Sequence, residues 1–281
     1  MMLQGVRVAG HFGELLQGRL GANGPVALVT LPCAALTVTA RGYAGVGLSV
    51  HGAGQRLLVP ARAQKLLDLL GLRLQGRLVL RATMPAGGGA GASTATLVAV
   101  AKLAGWQGPP DLLAQACIAV EGASDPLMFA AAETRLWASR LGETVAHLPA
   151  LPAFEVIGGF YGPMKRTDPA DDNFADIADL IPAWSAASQA RNLPALADIA
   201  STSARRCLQL RDQTAVQDPI WSLAPQLGAL GCVIAHTGAA RGLIFAPGQV
   251  PAGARGCLQQ AGLRCVVQFR AGGVGSAGGW R

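Results

Sequence analysis

The sequence predicts an α+β fold built from two domains, residues 1–150 and 151–281. A chain of 281 residues exceeds the typical domain size of about 100–150 residues, which favours two domains. Strand-like segments dominate the first fifty residues, whereas the later chain is mainly helical. The chain then closes with strand and helix segments in the order expected of an α+β layer.

The predicted elements follow from hydrophobic periodicity and from Gly and Pro turns. Runs rich in Val, Leu and Thr predict an antiparallel sheet in the first part, with strands at 5–9, 26–31, 35–40 and 45–50. A helix, a strand and two helices are expected next, at 61–70, 77–81, 92–104 and 110–121. Later strands are expected at 135–139, 144–148, 154–160, 231–236, 241–245 and 263–269, and helices within 174–230 and at 252–261. The glycine-rich tail 271–281 is expected to be mobile at its end.

Composition and charge limit the classes of partner. With 51% hydrophobic and 14% charged residues, the chain can bury a large core. The formal net charge of +7 is carried mainly by arginines that are scattered along the sequence. Because no basic run of five residues occurs, a nucleic-acid surface is not expected, whereas small anionic ligands suit the arginine fork.

The spacing of the cysteines and the nature of the apolar stretches indicate in which cellular compartment the protein is expected. The six cysteines are widely spaced and form no CxxC pair, which favours buried free thiols over a zinc site or a disulfide framework. The amino terminus lacks the features of a secretory signal. Two uncharged stretches, 20–40 and 219–240, are interrupted by prolines and polar residues and therefore do not predict membrane spans. We expect a soluble, cytoplasmic protein.

A glycine-rich loop, Pro85-Ala-Gly-Gly-Gly-Ala-Gly-Ala-Ser-Thr94, joins a predicted strand to the start of a predicted helix. Small residues let backbone amides approach a phosphate closely, and the amino terminus of a helix favours an anion. The loop is not a Walker motif, since no Gly-Lys-Ser/Thr ends it, and it does not match the dinucleotide pattern GxGxxG. On its own it is either a phosphate-binding loop or a flexible connection.

The loop resembles the second motif of the GHMP kinases, Pro-x-x-x-Gly-x-Gly/Ala-Ser-Ser-Ser/Thr/Ala. The segment Gly10-His-Phe-Gly-Glu-Leu-Leu-Gln-Gly18 is similar to the amino-terminal motif of one branch, the L-threonine kinases of cobalamin assembly and propanediol utilisation. Ala235-His-Thr-Gly-Ala-Ala-Arg-Gly-Leu-Ile-Phe245 resembles the third motif of that branch. The resemblance implies an amino-terminal domain like ribosomal protein S5 domain 2, a ferredoxin-like carboxy-terminal domain, and the use of ATP and Mg²⁺.

The resemblance also implies roles for individual residues. The nucleotide would be held by Pro85, Gly87, Gly88, Gly89, Ala90, Gly91, Ala92, Ser93 and Thr94. A small hydroxylated substrate would contact Glu14, His236, Thr237 and Gly238. The segment Glu121-Gly-Ala-Ser-Asp-Pro-Leu-Met-Phe129 resembles a family segment with two carboxylates. This implies that Glu121 binds Mg²⁺ beside Ser93 and that Asp125 orients or deprotonates the acceptor hydroxyl.

Structural alternatives stay open for several of these residues. Glu121 can simply end a helix, and Asp125 can cap the turn that follows. Glu14 lies in an apolar segment, where a carboxylate needs a partner such as a substrate ammonium or an internal arginine. His236 is either a ligand contact or a satisfied buried histidine. His11 replaces a small polar residue of the relatives and is interpreted as part of the wall rather than as a catalyst.

Two departures from the family pattern affect the functional prediction. Ala92 stands where these kinases commonly carry a hydroxyl residue, and Gly88 stands where threonine-kinase relatives can carry a lysine. The favoured interpretation is an ATP-dependent kinase that phosphorylates L-threonine for the cobalamin side chain. The alternatives are a GHMP kinase for homoserine, a sugar or another small alcohol, and a catalytically weakened homologue that binds nucleotide or RNA. The motifs determine neither the acceptor nor the oligomeric state.

Overall fold

The structure is a computed structural model that describes residues 2–211 and 217–273, with side chains from residue 5 onward. The end of the glycine-rich tail, 274–281, lies outside the described residues. Ten strands of the described chain form one sheet: β1 (Met2–Arg19), β2 (Val26–Tyr43), β3 (Leu48–Gly52), β4 (Gly76–Ala82), β5 (Arg135–Ala138), β6 (Glu143–His147), β7 (Phe154–Phe160), β8 (Gly231–Ile234), β9 (Ala240–Phe245) and β10 (Arg264–Ala271).

Seven helices of the described chain accompany this sheet, together with a short 3₁₀ turn at Ala132–Thr134. The helices are α1 (Pro60–Leu69), α2 (Ala92–Leu103), α3 (Pro110–Glu121), α4 (Leu180–Gln189), α5 (Leu193–Arg211), α6 (Ile220–Gln226) and α7 (Ala254–Gln260). The main path of the sheet runs in the order β10-β7-β9-β8-β1-β2-β4-β3, and β5 pairs with β2 and β6. This mixed architecture confirms the predicted α+β class.

Most predicted elements are confirmed, and three expectations are corrected. The predicted strands 26–31 and 35–40 are parts of one strand, β2. The expectation of an antiparallel first sheet is wrong at its edge, because β3 pairs with β4 in parallel. Helix α4 begins at Leu180, so the region after residue 174 becomes helical later than predicted.

Strand β1 is long and bent, and its bend carries the amino-terminal motif. Its register against β2 shifts on either side of His11. Gly13 has a φ of 67°, a left-handed conformation that glycine adopts readily. Beyond the bend, Glu14 pairs with Thr30 of β2 and with Ile234 of β8. The motif therefore lies where the first and later parts of the sheet join.

The apolar core is continuous across residue 150. Phe12 of β1 is fully buried, and its ring centroid lies 5.8 Å from that of Phe160 and 5.7 Å from that of Phe269. Rings at such separations attract each other in tilted and edge-on arrangements. Because Phe12 belongs to the first predicted domain and its partners to the second, the two halves share core contacts. The boundary at residue 150 remains a prediction.

Helix α2 is buried on nearly every side. Ten of its twelve residues are buried, and their small or branched side chains pack against β1 and β2. Gly91 precedes the helix with a φ of 69°. This packing fixes the amino terminus of α2 beside the bend of β1. Among the described residues, no helix has the length and apolar character needed to span a bilayer.

Candidate active site

A cavity of about 280 Å³ lies where the glycine-rich loop, the end of α3 and the turn after β8 meet. Loop 85–91 connects β4 to α2, so both elements position it. The residues that line the cavity include most of those predicted from the sequence. The whole lining of the cavity consists of His11, Glu14, Leu28, Leu57, Arg62, Ala86, Gly87, Gly89, Ala90, Gly91, Ala92, Ser93, Thr94, Glu121, Ala123, Ser124, Asp125, Ser139, Lys165, Arg166, Thr167, Pro169, His236 and Thr237.

The loop is fixed through its carbonyl groups. Each carbonyl of residues 87–90 accepts backbone hydrogen bonds at 2.9 to 3.3 Å, and the donors are Lys165, Ala239, Ala240, Gly13 and His11. Within the described chain, the backbone amides of residues 89–94 have no protein acceptor. Unpaired amides at a helix amino terminus favour an anion. The loop therefore leaves several hydrogen-bond donors available to a ligand in the cavity.

Close packing explains the glycines of the loop. A Cβ atom on Gly89, which has a φ of +73°, would lie 2.2 Å from the Cβ of Ala235. A Cβ on Gly91, with a φ of +69°, would lie 2.4 Å from Cδ2 of His11. Both positions need a left-handed backbone and have no room for a side chain. The loop is therefore packed against both neighbours, which opposes the interpretation as a flexible connection.

Ser93 and Glu121 meet at one end of the cavity. Ser93 lies in the first turn of α2, and its Oγ donates a hydrogen bond of 2.5 Å to Oε2 of Glu121, the last residue of α3. Nη1 of Arg62 lies 3.7 Å from the other carboxylate oxygen. Burial raises the pKa of Glu121, while Ser93 and Arg62 act in the opposite direction. A hydroxyl and a carboxylate are oxygen ligands of the kind that Mg²⁺ prefers, so this pair fits the predicted metal site.

Asp125 is held by two side chains at the centre of the cavity. Oγ1 of Thr94 donates to Oδ2 of Asp125 at 3.2 Å, and Nε2 of His11 lies 3.3 Å from the same oxygen. Thr94 also accepts a hydrogen bond from the backbone amide of Asp125. Burial alone would raise the pKa of Asp125, but the charge and hydrogen bond of His11 outweigh it and lower that pKa. Asp125 is therefore ionised at neutral pH.

His11 is a cation at neutral pH. Burial alone would lower its pKa, but the charges of Asp125 and Glu14 raise that pKa to about 9. Both ring nitrogens face acceptors, since Nδ1 lies 3.2 Å from the carbonyl oxygen of Gly13 and Nε2 faces Asp125. His11 lines the cavity, as its interpretation as part of the wall predicts, and it also pairs with Asp125. The sequence held one signal, a histidine three residues before a carboxylate in an apolar strand, where each needs a partner.

Glu14 is buried beside His11 and keeps one oxygen unpaired. Its Oε1 lies 3.5 Å from Nδ1 of His11, so its protein partner is a histidine and not the arginine considered from the sequence. In the described structure Oε2 has no partner. Burial raises the pKa of Glu14 to about 8, even though His11 opposes the shift. The carboxyl group of Glu14 is therefore harder to ionise than an exposed one, and a cationic ligand group beside it would favour its charged form.

His236 is a neutral, partly buried histidine that also lines the cavity. Its ring stacks on Phe174, with centroids 4.4 Å apart and planes inclined by 1°. Burial, together with the charges of Arg211 and Arg140, lowers its pKa to about 3. Its Nδ1 has no partner in the described structure. The stack fixes the ring and leaves a polar atom for a ligand.

Three predicted site residues do not line the cavity, although the structure describes all of them: Pro85, Gly88 and Gly238. Gly238 instead packs against the loop, because a Cβ on it would lie 2.6 Å from the backbone of Gly88 and Gly89. The turn that carries Gly238 therefore supports the glycine-rich loop from outside.

No protein-family model and no curated protein sequence matches the chain. Solved structures match nearly all of it. Homoserine kinase from Cytophaga hutchinsonii is 17% identical with a TM-score of 0.59, over 96% of this chain and 95% of its own. Mevalonate kinase from L. major, in complex with R-mevalonate, is 15% identical with a TM-score of 0.59, over 96% and 95% of the two chains.

A third structure, MDDEF in complex with MVAPP, AMPPCP and magnesium, is 13% identical with a TM-score of 0.62, over 97% of this chain and 98% of its own. The likeness to these structures concerns the arrangement of helices and strands, since the sequences have diverged widely. The chain therefore has the α+β fold of the GHMP kinases.

Proposed function

We propose that the protein is an ATP-dependent kinase of the GHMP family that phosphorylates a hydroxyl group of a small molecule. One observation carries the proposal. A single cavity brings together a loop with unpaired amides, a hydroxyl and carboxylate pair suited to Mg²⁺, and an ionised aspartate. These are the parts that phosphoryl transfer requires, namely positioning of the phosphates, charge neutralisation and an aligned acceptor.

The chain's own residues divide this work. The amides of loop 85–91 and the amino terminus of α2 bind the phosphates, and Ser93 and Glu121 hold Mg²⁺. Mg²⁺, when bound, neutralises charge on the phosphates. Asp125 accepts a hydrogen bond from the acceptor hydroxyl and orients its oxygen toward the terminal phosphorus. The new oxygen–phosphorus bond replaces the bond to ADP, and the hydroxyl proton passes to Asp125 or to water.

We further propose L-threonine as the acceptor and cobalamin side-chain synthesis in the cytoplasm as the setting. The unpaired Oε2 of Glu14 and Nδ1 of His236 both belong to residues that line the cavity, which supports an acceptor with polar groups besides its hydroxyl. An ammonium beside Glu14 would favour its ionised form and supply the missing contact. Homoserine, a sugar or another small alcohol remains the alternative acceptor.

Acceptor-dependent ADP release tests the proposal. The panel comprises L-threonine, L-serine, L-homoserine, a sugar and a simple alcohol, with ATP and Mg²⁺ and with hydrolysis in the absence of acceptor subtracted. We expect the highest kcat/KM with L-threonine and O-phosphothreonine as the product. If another acceptor is turned over best, the acceptor is reassigned, and the proposed reaction, phosphorylation of a hydroxyl group, stays the same. Nucleotide or RNA binding at physiological salt without any turnover would instead support the weakened homologue.

A further inference from the structure

Two cations reach the cavity from a segment that the sequence motifs do not include. The segment 161–176, here called the strap, follows β7 and has no helix or strand. It contributes Lys165 and Arg166 to the cavity lining, together with Thr167, whose Oγ1 lies 3.5 Å from Oγ1 of Thr237. The strap therefore places basic side chains beside the predicted phosphate site.

The backbone of the strap lies directly on the glycine-rich loop. The amide of Lys165 donates a hydrogen bond of 2.9 Å to the carbonyl of Gly87. A Cβ on Gly87 would come within 3.2 Å of the carbonyl of Lys165. Next along the strap, Nη2 of Arg166 donates to the carbonyl of Arg56 at 2.8 Å. Lys165 and the loop that would hold the phosphates are thus fixed relative to each other.

Arginines from elsewhere in the chain hold the remainder of the strap. Arg140 donates to the carbonyls of Asp168 and Asp171, and Arg211 forms an ion pair of 2.5 Å with the Asp171 carboxylate. Nη2 of Arg19 donates to the backbone of the strap at 3.0 Å. The ring of Phe174 is covered by His236 and by the guanidinium groups of Arg211 and Arg140. Of the carboxylates of the strap, that of Asp171 is thus paired with Arg211, and that of Asp168 accepts a hydrogen bond from the backbone amide of Ala170.

Neither Lys165 nor Arg166 forms a salt bridge among the described residues, although the charge of Arg166 acts on Glu121. Two other cationic side chains that line the cavity do pair with carboxylates, since Arg62 faces Glu121 and His11 faces Asp125. The loop itself cannot supply a further cation at its centre. A Cβ on Gly88 would lie 2.8 Å from the ring of Phe160. The strap thus supplies, in Lys165, a cation of the cavity lining that no salt bridge among the described residues compensates.

We propose that Lys165, with Arg166 beside it, binds the terminal phosphates of a nucleotide held by loop 85–91. The inference rests on the proposed function, and it assigns the phosphate-binding cation to a segment outside the three motifs. An ammonium or guanidinium directed at phosphate oxygens forms charge-assisted hydrogen bonds, and the ammonium of Lys165 is available because no salt bridge among the described residues holds it. The assigned ligand class is a triphosphate, since the loop amides and the strap would contact different parts of the phosphate chain.

Affinity measurements with Lys165→Met test this assignment, with Arg73→Met as the control. Arg73 is exposed and does not line the cavity, so its removal changes the net charge equally. The probes are ATP, AMP and inorganic tripolyphosphate, measured by calorimetry at two salt concentrations. We expect Lys165→Met to weaken ATP and tripolyphosphate about 10- to 100-fold and to reduce the salt dependence, because one charged hydrogen bond is lost. AMP affinity should not change, and Lys165→Arg should retain most of the ATP affinity.

The inference would be overturned if Lys165→Met and Arg73→Met bound ATP and tripolyphosphate with equal affinity. It would also be overturned if Lys165→Met lost as much affinity for AMP as for ATP. Failure of the proposed function has a different signature. The parent protein would then bind tripolyphosphate in a manner that depends on Lys165, but it would release no acceptor-dependent ADP. That result would support the anion site and reject the kinase. Absence of tripolyphosphate and ATP binding by the parent would overturn the inference itself.

Discussion

His11 lies between two carboxyl groups, and its position determines the charge of each of them. The pKa of His11 is raised to about 9 and that of Glu14 to about 8, whereas that of Asp125 is lowered, so His11 and Asp125 form an ion pair at pH 7. A buried ion pair without further partners would be costly. Here the second ring nitrogen of His11 faces the carbonyl of Gly13, and the Thr94 hydroxyl both donates to the Asp125 carboxylate and accepts from the Asp125 amide. The residue that keeps Asp125 ionised is therefore on β1, far from it in sequence.

Replacing His11 with Gln should change the pH dependence of the reaction. Without the imidazolium the pKa of Asp125 rises, because an adjacent opposite charge typically lowers a carboxyl pKa by about 1–3 units. If Asp125 acts as a carboxylate, as proposed, activity falls as the pH drops through its pKa. We expect the acid limb of the kcat/KM profile of His11→Gln to move to higher pH. A profile that keeps its acid limb, with only a lower plateau, would contradict the assigned role of His11.

Asp125→Asn tests the central carboxylate directly. If Asp125 is the base, kcat should fall by about 10²–10⁴-fold, the usual contribution of a positioned base. ATP affinity should barely change, because the proposed role places Asp125 against the acceptor and not against the nucleotide. The measurements are kcat, nucleotide affinity and thermal stability of the same preparation. A fall in kcat below about tenfold would remove Asp125 as base and leave positioning and electrostatics as the source of the rate.

The sequence was informative about single residues where a motif fixes local geometry. Ser93, Glu121 and Asp125 meet in one cavity as their motifs predict. His11 could not be assigned in the same way, since its contact with Asp125 joins residues more than a hundred positions apart. Lys165 gave no sequence signal at all, because its place depends on how an irregular segment packs on the loop.

At the scale of elements, the ends of two helices form the predicted metal site. Ser93 belongs to the first turn of α2, and Glu121 is the last residue of α3. A carboxylate near the amino terminus of a helix is stabilised by the helix dipole, which α2 provides for Glu121. The end of α3 is itself fixed by Gly122, which adopts a left-handed conformation with a φ of 79°.

Glu121→Gln should lower turnover far more than it lowers stability. Glutamine retains the size of the side chain and can accept a hydrogen bond from Ser93, but it lacks the charge that Mg²⁺ requires. We expect kcat to fall about tenfold or more, since hydrogen bonds and contacts to charged groups are worth about 1.5–3 kcal/mol. High Mg²⁺ should restore part of the rate. The check is to measure turnover as a function of Mg²⁺ concentration and to record a thermal melt of the same variant. An unchanged rate would leave Glu121 with a structural role only.

The two errors in the predicted first sheet have physical causes. Pro32 has no amide hydrogen to donate to a neighbouring strand, which suggested a break between two strands. Strand β2 nevertheless continues past Pro32, because the register of β1 shifts on either side of His11, the residue that pairs with Pro32. The edge strand β3 is followed by α1 and then by β4. A strand, helix and strand in this order is the usual connection between parallel strands, so the predicted order of elements already favoured a parallel pairing there.

At the scale of the whole molecule, one sheet and one large core include both predicted domains. The main core cluster contains Trp137 from the first half and Trp184 from the second, and both are almost fully buried. Strand β1 pairs with β2 on one side and with β8 on the other. Sequence patterns correctly indicated the fold class, but they could not show how far the two halves share contacts, because those contacts join distant positions.

Unfolding should therefore occur as one cooperative transition. In Trp137→Phe and Trp184→Phe variants, the fluorescence of the remaining tryptophans and the far-UV circular dichroism should give the same urea midpoint within each variant. The physical reason is that loss of either half exposes the apolar core of the other. Two resolved transitions, with Trp137 and Trp184 reporting different midpoints, would contradict this and support independently folding domains with a boundary near residue 150.

The attachment of loop 85–91 through its carbonyls has a consequence for amide hydrogen exchange. Amides of residues 89–94 lack protein acceptors in the described structure, so their protons should exchange quickly with D₂O even though the loop is held in place. A bound phosphate would occupy those donors and slow the exchange without any closing motion. Protection at these few positions would then measure how often an anion is bound, whereas amides inside β1 and α2 would report only the opening of the fold.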